Sequence, residues 1–106
     1  MKVIWTKHSE KKMKFYNLSK SRVLRIVKKP YRIEEGIAPK TIALMQPAKI
    51  LKKNKKPTWK QEIWTMIQKS ELGIKIISAW RYPGISPAIN PIPEEIIREL
   101  KNEGII

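Results

Sequence analysis

The one histidine of the chain, His8, stands four residues before Lys12. On a helix that spacing puts an imidazole and an ammonium on one face. Such a pair combines a group that titrates near neutrality with a fixed positive charge beside it. A second basic group, Arg81, closes an apolar run and is followed by Tyr82, whose phenol can stack or carry a proton. There is no Cys and no Asp, and all nine acids are Glu. Thiol nucleophiles and disulfides are therefore excluded, and a dedicated metal site lacks its usual ligands. No cofactor and no metal are expected.

The charge around these residues is uneven. Residues 1–60 carry 18 Lys and Arg against 3 Glu, whereas residues 61–106 carry 5 against 6. The whole chain has a formal charge of +14 over 106 residues. Such crowding of one sign costs self-repulsion and points to a polyanionic partner. Phosphate backbones are the commonest, because each basic contact releases condensed counterions. Arg22 and Arg25, the lysines Lys52, Lys53, Lys55 and Lys56, and Trp59 beside them are the candidate nucleic-acid contacts. An aromatic ring among lysines suits stacking on an unpaired base.

The elements that must position these groups follow from pattern. The length suits one domain, residues 1–106. Val3 to Trp5 is apolar but too short to assign alone. Thr6 is placed to cap a helix running to Phe15, which ends at Tyr16 and Asn17. Ser19 caps a second helix with Val23, Leu24, Ile26 and Val27 as its apolar stripe, Leu18 stapling onto Val23, and Pro30 as its stop. Thr41 to Gln46 and Glu62 to Gln68 read as strands of a long hairpin with a lysine-rich tip, the second strand central. Ile74 to Tyr82 reads as a third strand. Strict alternation would set Ile74, Ile76, Ser78, Trp80 and Tyr82 on one face and Lys75, Ile77, Ala79 and Arg81 on the other. Pro83, Pro87 and Pro91 make residues 83–92 an extended connector. A last helix follows over 93–103, with Pro93 at its first position, Glu94 and Glu95 in the first turn, and Gly104 after its end. The class is α+β: two N-terminal helices on an antiparallel meander, plus a C-terminal helix.

The order His8, Ser9, Lys12, Met13, Tyr16, Asn17, Leu18, Ser19, then a short helix and Pro30, resembles a motif of small toxins of the RelE/ParE superfamily, in the BrnT-like branch. In that motif His and a small residue are followed by Arg-Met, a second Arg, then Gly-Ile-Ser. The run Ile76-Ile77-Ser78-Ala79-Trp80-Arg81 resembles the family's final strand. The likeness covers residues 5 to 82. Lys12 stands where Arg is usual and loses the two-pronged grip on phosphate; Tyr16 replaces the second Arg and Asn17 the Gly. The resemblance implies a RelE-like fold and a toxin that cleaves RNA without metal, the ribose 2′-hydroxyl attacking the adjacent phosphate. It assigns His8 as acid or base, Lys12 and Arg81 to phosphate charge, and Tyr82 to proton relay or stacking. It also implies an acidic antitoxin protein as partner. Separately from the resemblance, the acidic terminal helix suits exchange between protomers, so a homo-oligomer is a second expected partner state.

Plainer readings stand beside these. His8 also suits an ordinary helix start, Lys12 a solvated face, and Arg81 a snorkelling or Glu-paired side chain. Tyr82 and Trp59 also suit packing, and the lysine tip suits blocking of edge pairing. Three functional readings follow: an endoribonuclease toxin, a non-catalytic basic nucleic-acid-binding module, and a domain docking on an acidic protein. No apolar run approaches the roughly 18 residues of a membrane span and no signal-peptide pattern opens the chain, so a cytoplasmic location and no membrane contact are expected.

Overall fold

The computed structural model describes residues 2–106. The elements run β1 (Val3–Trp5), α1 (Lys7–Phe15), α2 (Lys20–Lys28), β2 (Arg32–Glu35), β3 (Thr41–Pro47), β4 (Leu51–Lys53), β5 (Lys56–Thr58), β6 (Gln61–Ser70), β7 (Gly73–Pro83) and α3 (Glu94–Asn102). The class is α+β, with three helices on a mixed sheet of order β1-β7-β6-β3-β2. No helix among the described residues is long and apolar enough to cross a membrane.

Local chemistry explains the helical start. The Thr6 hydroxyl accepts from the Ser9 amide at 3.1 Å and the Ser19 hydroxyl from that of Arg22 at 3.0 Å. Each bond satisfies an orphan N–H of a first turn. Asn17 follows α1 at φ 55°, and the next amide, that of Leu18, donates to the Met13 carbonyl at 2.7 Å. That pair of features is a Schellman closure with Asn in the left-handed position. It turns the chain in two residues, so α1 and α2 share one face of the sheet.

Two corrections concern the sheet. It is not an antiparallel meander alone, because β1 lies parallel to β7, pairing Val3 with Ile74 and Trp5 with Ile76. This approach needs Gly73: a Cβ there would fall 2.1 Å from the Lys2 carbonyl oxygen, and its φ is 142°. At the far edge β2 pairs with β3, an element that its Arg-Ile-Glu-Glu sequence does not announce. The central place of β6 agrees with its apolar residues on both faces. The lysine-rich tip forms its own two-stranded ribbon, β4 with β5, turning through Asn54 and Lys55 at φ 52° and 66°.

The third correction is a β-bulge. Met66 opposes Ser78 but Ile67 opposes Ile76, which leaves Ile77 as the extra residue of β7. The bulge reverses the alternation that follows it. Ile74, Ile76 and Ala79 therefore share the layer beneath α1 and α2 with Val23, Ile26, Ile63 and Ile67. Ile77 and Trp80 belong to the opposite layer, with Trp64, Met66 and the Ile96 and Leu100 side chains of α3. Trp64 and Trp80 stack in parallel there, centroids 5.8 Å apart. Tyr16 packs against both layers.

In α3, Pro93 is the cap residue and not the first helical one, and it supplies no side-chain bond. Gly104 at φ 72° and the Ile105 amide bonded to Leu100 end the helix as Asn17 and Leu18 end α1. The connector before it is tied down. Arg32 donates to the Ser86 hydroxyl at 2.9 Å and to the Pro87 carbonyl at 2.7 Å. Glu62, fully buried, accepts from the Ser86 amide at 3.1 Å.

Candidate nucleic-acid interface

The bulge sets Arg81 beneath the end of α1. Its Nε donates to the Tyr16 carbonyl at 2.7 Å, its Nη2 to that of Asn17 at 3.3 Å, and its Nη1 to Gln61 Oε1 at 2.9 Å. Helix α2 brings Arg22 to the same place. Arg22 Nη1 donates to Gln46 Oε1 at 2.6 Å. The amide of Gln46 in turn donates to the Lys29 carbonyl at 2.7 Å, which fixes the end of α2 on β3. Every acceptor in this set is an amide or carbonyl oxygen. The guanidinium charges are held in place without being neutralised.

Two depressions meet at Arg22. One, of about 550 Å³, is lined by Lys14, Asn17, Ser19, Arg22 and Arg81 over an apolar floor that includes Met13 and Ile63. The other, of about 460 Å³, continues past Arg25, Lys29, Tyr31 and Lys49. They share Arg22 and Ala48, and no carboxylate lines either. Burial, followed by repulsion from Arg25 and Arg81, pulls the Arg22 guanidinium below its ordinary pKa. It stays charged, as arginines do. A cationic trough built of mutually repelling groups, with no internal counter-charge, is what an anionic ligand would relieve.

His8 and Lys12 lie elsewhere. His8 is buried, its Nε2 3.0 Å from the Ser78 hydroxyl oxygen and its Nδ1 against the carboxylate of Glu103, the residue that caps the end of α3. Lys12 donates to Glu99 Oε1 at 2.7 Å and lies about 5 Å from the Phe15 and Tyr16 rings. The Tyr16 hydroxyl titrates above its ordinary value, chiefly through burial, against the pull of Lys12 and with Glu95 and Glu99 adding to it. His8 and Lys12 thus share one face of α1, but α3 covers it with Glu103 and Glu99, which are likewise four residues apart. Arg81 grips the other end of α1, about 12 Å of helix from His8. The four residues assigned to catalysis do not converge on one cavity.

The remaining candidates divide. Arg22 and Arg25 are in the trough. Lys52, Lys53, Lys55 and Lys56 are exposed on the β4–β5 ribbon. Trp59 is half-buried, donates to Glu62 Oε2 at 2.9 Å, and meets Tyr31 edge to face at 5.1 Å. Tyr82 is half-buried against the α3 layer. Sequence reasoning missed Lys14, Tyr31 and the two glutamines that orient the arginines. Tyr31 had a usable signal: an aromatic between the helix-stopping Pro30 and Arg32, inside the basic half. Among the described residues no three of His, Asp and Glu come together as a metal site would need.

No family model, no curated protein and no solved structure matches this chain.

Proposed function

We propose that the protein binds RNA through the trough formed by α1, α2 and the ends of β3 and β7. The observation that carries this reading is the meeting of Arg22, Arg25 and Arg81, with Lys14 and Lys29, on a surface lined by no carboxylate. Phosphates entering the trough exchange arginine–arginine repulsion for charge-assisted hydrogen bonds. RNA rather than DNA is chosen on the resemblance of residues 8–19 and 76–81 to the RelE/ParE superfamily. An acidic partner protein, as antitoxins are, competes for the same surface. The test is fluorescence anisotropy with a labelled 12-nucleotide RNA. Lys14→Ala with Arg25→Ala, both exposed, is expected to weaken binding about tenfold or more and to flatten its salt dependence. Salt-insensitive binding, or binding unchanged by the pair, sinks the proposal.

One observation favours a second reading, the metal-independent endoribonuclease. Both His8 and Lys12 are engaged by carboxylates of α3 and its C-cap residue, Glu99 and Glu103, at matched spacing. A site closed in this way serves an enzyme kept silent until α3 moves. Labelled RNA incubated in chelator with the Glu99→Gln, Glu103→Gln double variant is the test. Cleavage that vanishes on adding His8→Ala supports the toxin reading; intact RNA throughout removes it and leaves binding standing.

A further inference from the structure

We infer that Tyr31 is a stacking platform for an unpaired nucleobase and that it makes the trough select single-stranded over duplex RNA. This rests on the RNA-binding reading above and names the strand state that the same trough accepts. Tyr31 lines the second depression together with Lys29 and Lys49, and 51% of it is exposed. What sets this exposed ring apart is its company: the depression it lines is also lined by Arg22, Arg25, Lys29 and Lys49. Its position is also fixed from three sides. Pro30 restricts the backbone before it, and the Tyr31 amide donates to the Met45 carbonyl at 2.8 Å. The Trp59 ring meets it edge to face at an interplanar angle of 75°. Trp59 is itself pinned by Glu62, whose carboxylate also accepts from Trp64 Nε1 at 2.9 Å and from the Ser86 amide. Hydrogen bonds from the buried centre of the sheet thus fix Trp59, and the ring contact carries that order to the exposed Tyr31. Preorganisation of this kind lowers the entropy lost when a ligand settles on it.

The neighbours of the ring define the ligand. Arg25, Lys29 and Lys49 supply phosphate contacts within the same depression, and Arg22 continues them towards Lys14 and Arg81. A flat apolar face flanked by a track of cations suits a strand of several phosphates with one base turned onto the ring. Bases of a duplex are stacked and paired, so they offer no face to Tyr31, and the deep groove of an RNA helix shuts side chains out. A free mononucleotide fits the ring but leaves the Arg22–Arg81 end unused.

The experiment compares Tyr31→Ala and Tyr31→Phe with the parent protein on two labelled probes, an unstructured 12-nucleotide RNA and the matching 12-base-pair duplex. Thermal melts establish that the variants fold. Tyr31→Ala is expected to lose about tenfold on the single strand, to keep its duplex affinity and to leave the salt slope unchanged, since no charge is removed. Tyr31→Phe is expected to bind as the parent does. Equal parental affinity for both probes, an unchanged Tyr31→Ala on the single strand, or displacement of the 12-mer by an equal concentration of AMP overturns the inference while RNA binding stands. Failure of both probes to bind the parent overturns the underlying reading as well.

Discussion

Arg81 Nε donates to the main-chain carbonyl of Tyr16 at 2.7 Å, so a side chain from the last strand closes the end of the first helix across 65 residues of sequence. The Ile77 bulge makes this possible, because without it Arg81 would face α3. Arg81 therefore has two tasks: satisfying orphan carbonyls of a helix end and lending charge to the trough. Lys in its place keeps the charge and loses the fork. Arg81→Lys is expected to cost about 1–2 kcal/mol in urea denaturation while retaining most RNA affinity. Arg81→Met should lose both. Equal stability of Arg81→Lys and the parent would show that the carbonyls do not need the guanidinium.

Glu62 joins β6, the connector and the Trp59–Tyr31 pair. Burial pushes its carboxyl pKa up, but hydrogen bonds from the Ser86 hydroxyl, Trp59, Trp64 and the Ser86 amide outweigh this and hold it below the ordinary 4.5. The folded chain thus binds this proton less readily than the unfolded one. The stability so gained is fully present above the ordinary value and is lost as pH falls through it towards the lower folded value. Glu62→Gln places an amide NH2 against at least one of these donors and is expected to cost about 2–4 kcal/mol at pH 7. Denaturation series at pH 7, 5, 4 and 3 should show the gap between parent and variant narrowing in acid. A gap constant with pH would mean that the carboxylate charge is not what the donors read.

Asn17, at φ 55° between α1 and α2, tests the tight turn that brings Lys14 and Arg22 to one trough. Gly adopts this conformation without a Cβ penalty, so Asn17→Gly is expected to leave stability unchanged or raise it by a few tenths of a kcal/mol. Asn17→Val should cost about 1–2 kcal/mol, because a β-branched residue is strained there. Thermal melts of the two variants decide it, and a Val variant as stable as the Gly one would contradict the turn.

How much of this was legible in the sequence depends on range. Caps and stops were readable because their chemistry is local: Thr6, Ser19, Asn17 and Gly104 act within four residues of themselves. The central strand β6 was readable because burial on both faces leaves an apolar run. The edge strands were not. Three residues of β1 owe their conformation to β7, and Arg32 to Glu35 owe theirs to pairing with Arg32's and Glu34's neighbours on β3. The bulge left no mark either, because Ile74 to Trp80 is apolar enough to satisfy both registers. That misplaced Arg81, and with it the trough. The cation surplus was legible as a total, but its gathering at Arg22 required knowing that Gln46 and Gln61, not glutamates, orient the guanidinium groups.

The acidic helix is the remaining lever. Glu99 and Glu103 pair with Lys12 and His8, and the Lys12 and Glu99 side chains are 12% and 33% exposed. Only the carboxylate end of each pair is open to solvent, Glu103 37% and Glu99 33% exposed against 5% for His8, which screens each pair and keeps its share of stability below that of the apolar contacts. Ile96 and Leu100, both buried, hold α3 in place instead. The double variant Glu99→Gln, Glu103→Gln should therefore stay folded, with α3 docked by its apolar face. Its effect should appear in binding. Removing two negative charges and freeing Lys12 is expected to tighten RNA binding about threefold to tenfold at low salt, with a steeper salt slope. Leu100→Ala works through packing and should cost about 2–4 kcal/mol. If the charge variant melts as low as the packing variant and gains no affinity, the carboxylates fasten the helix rather than shield the cations.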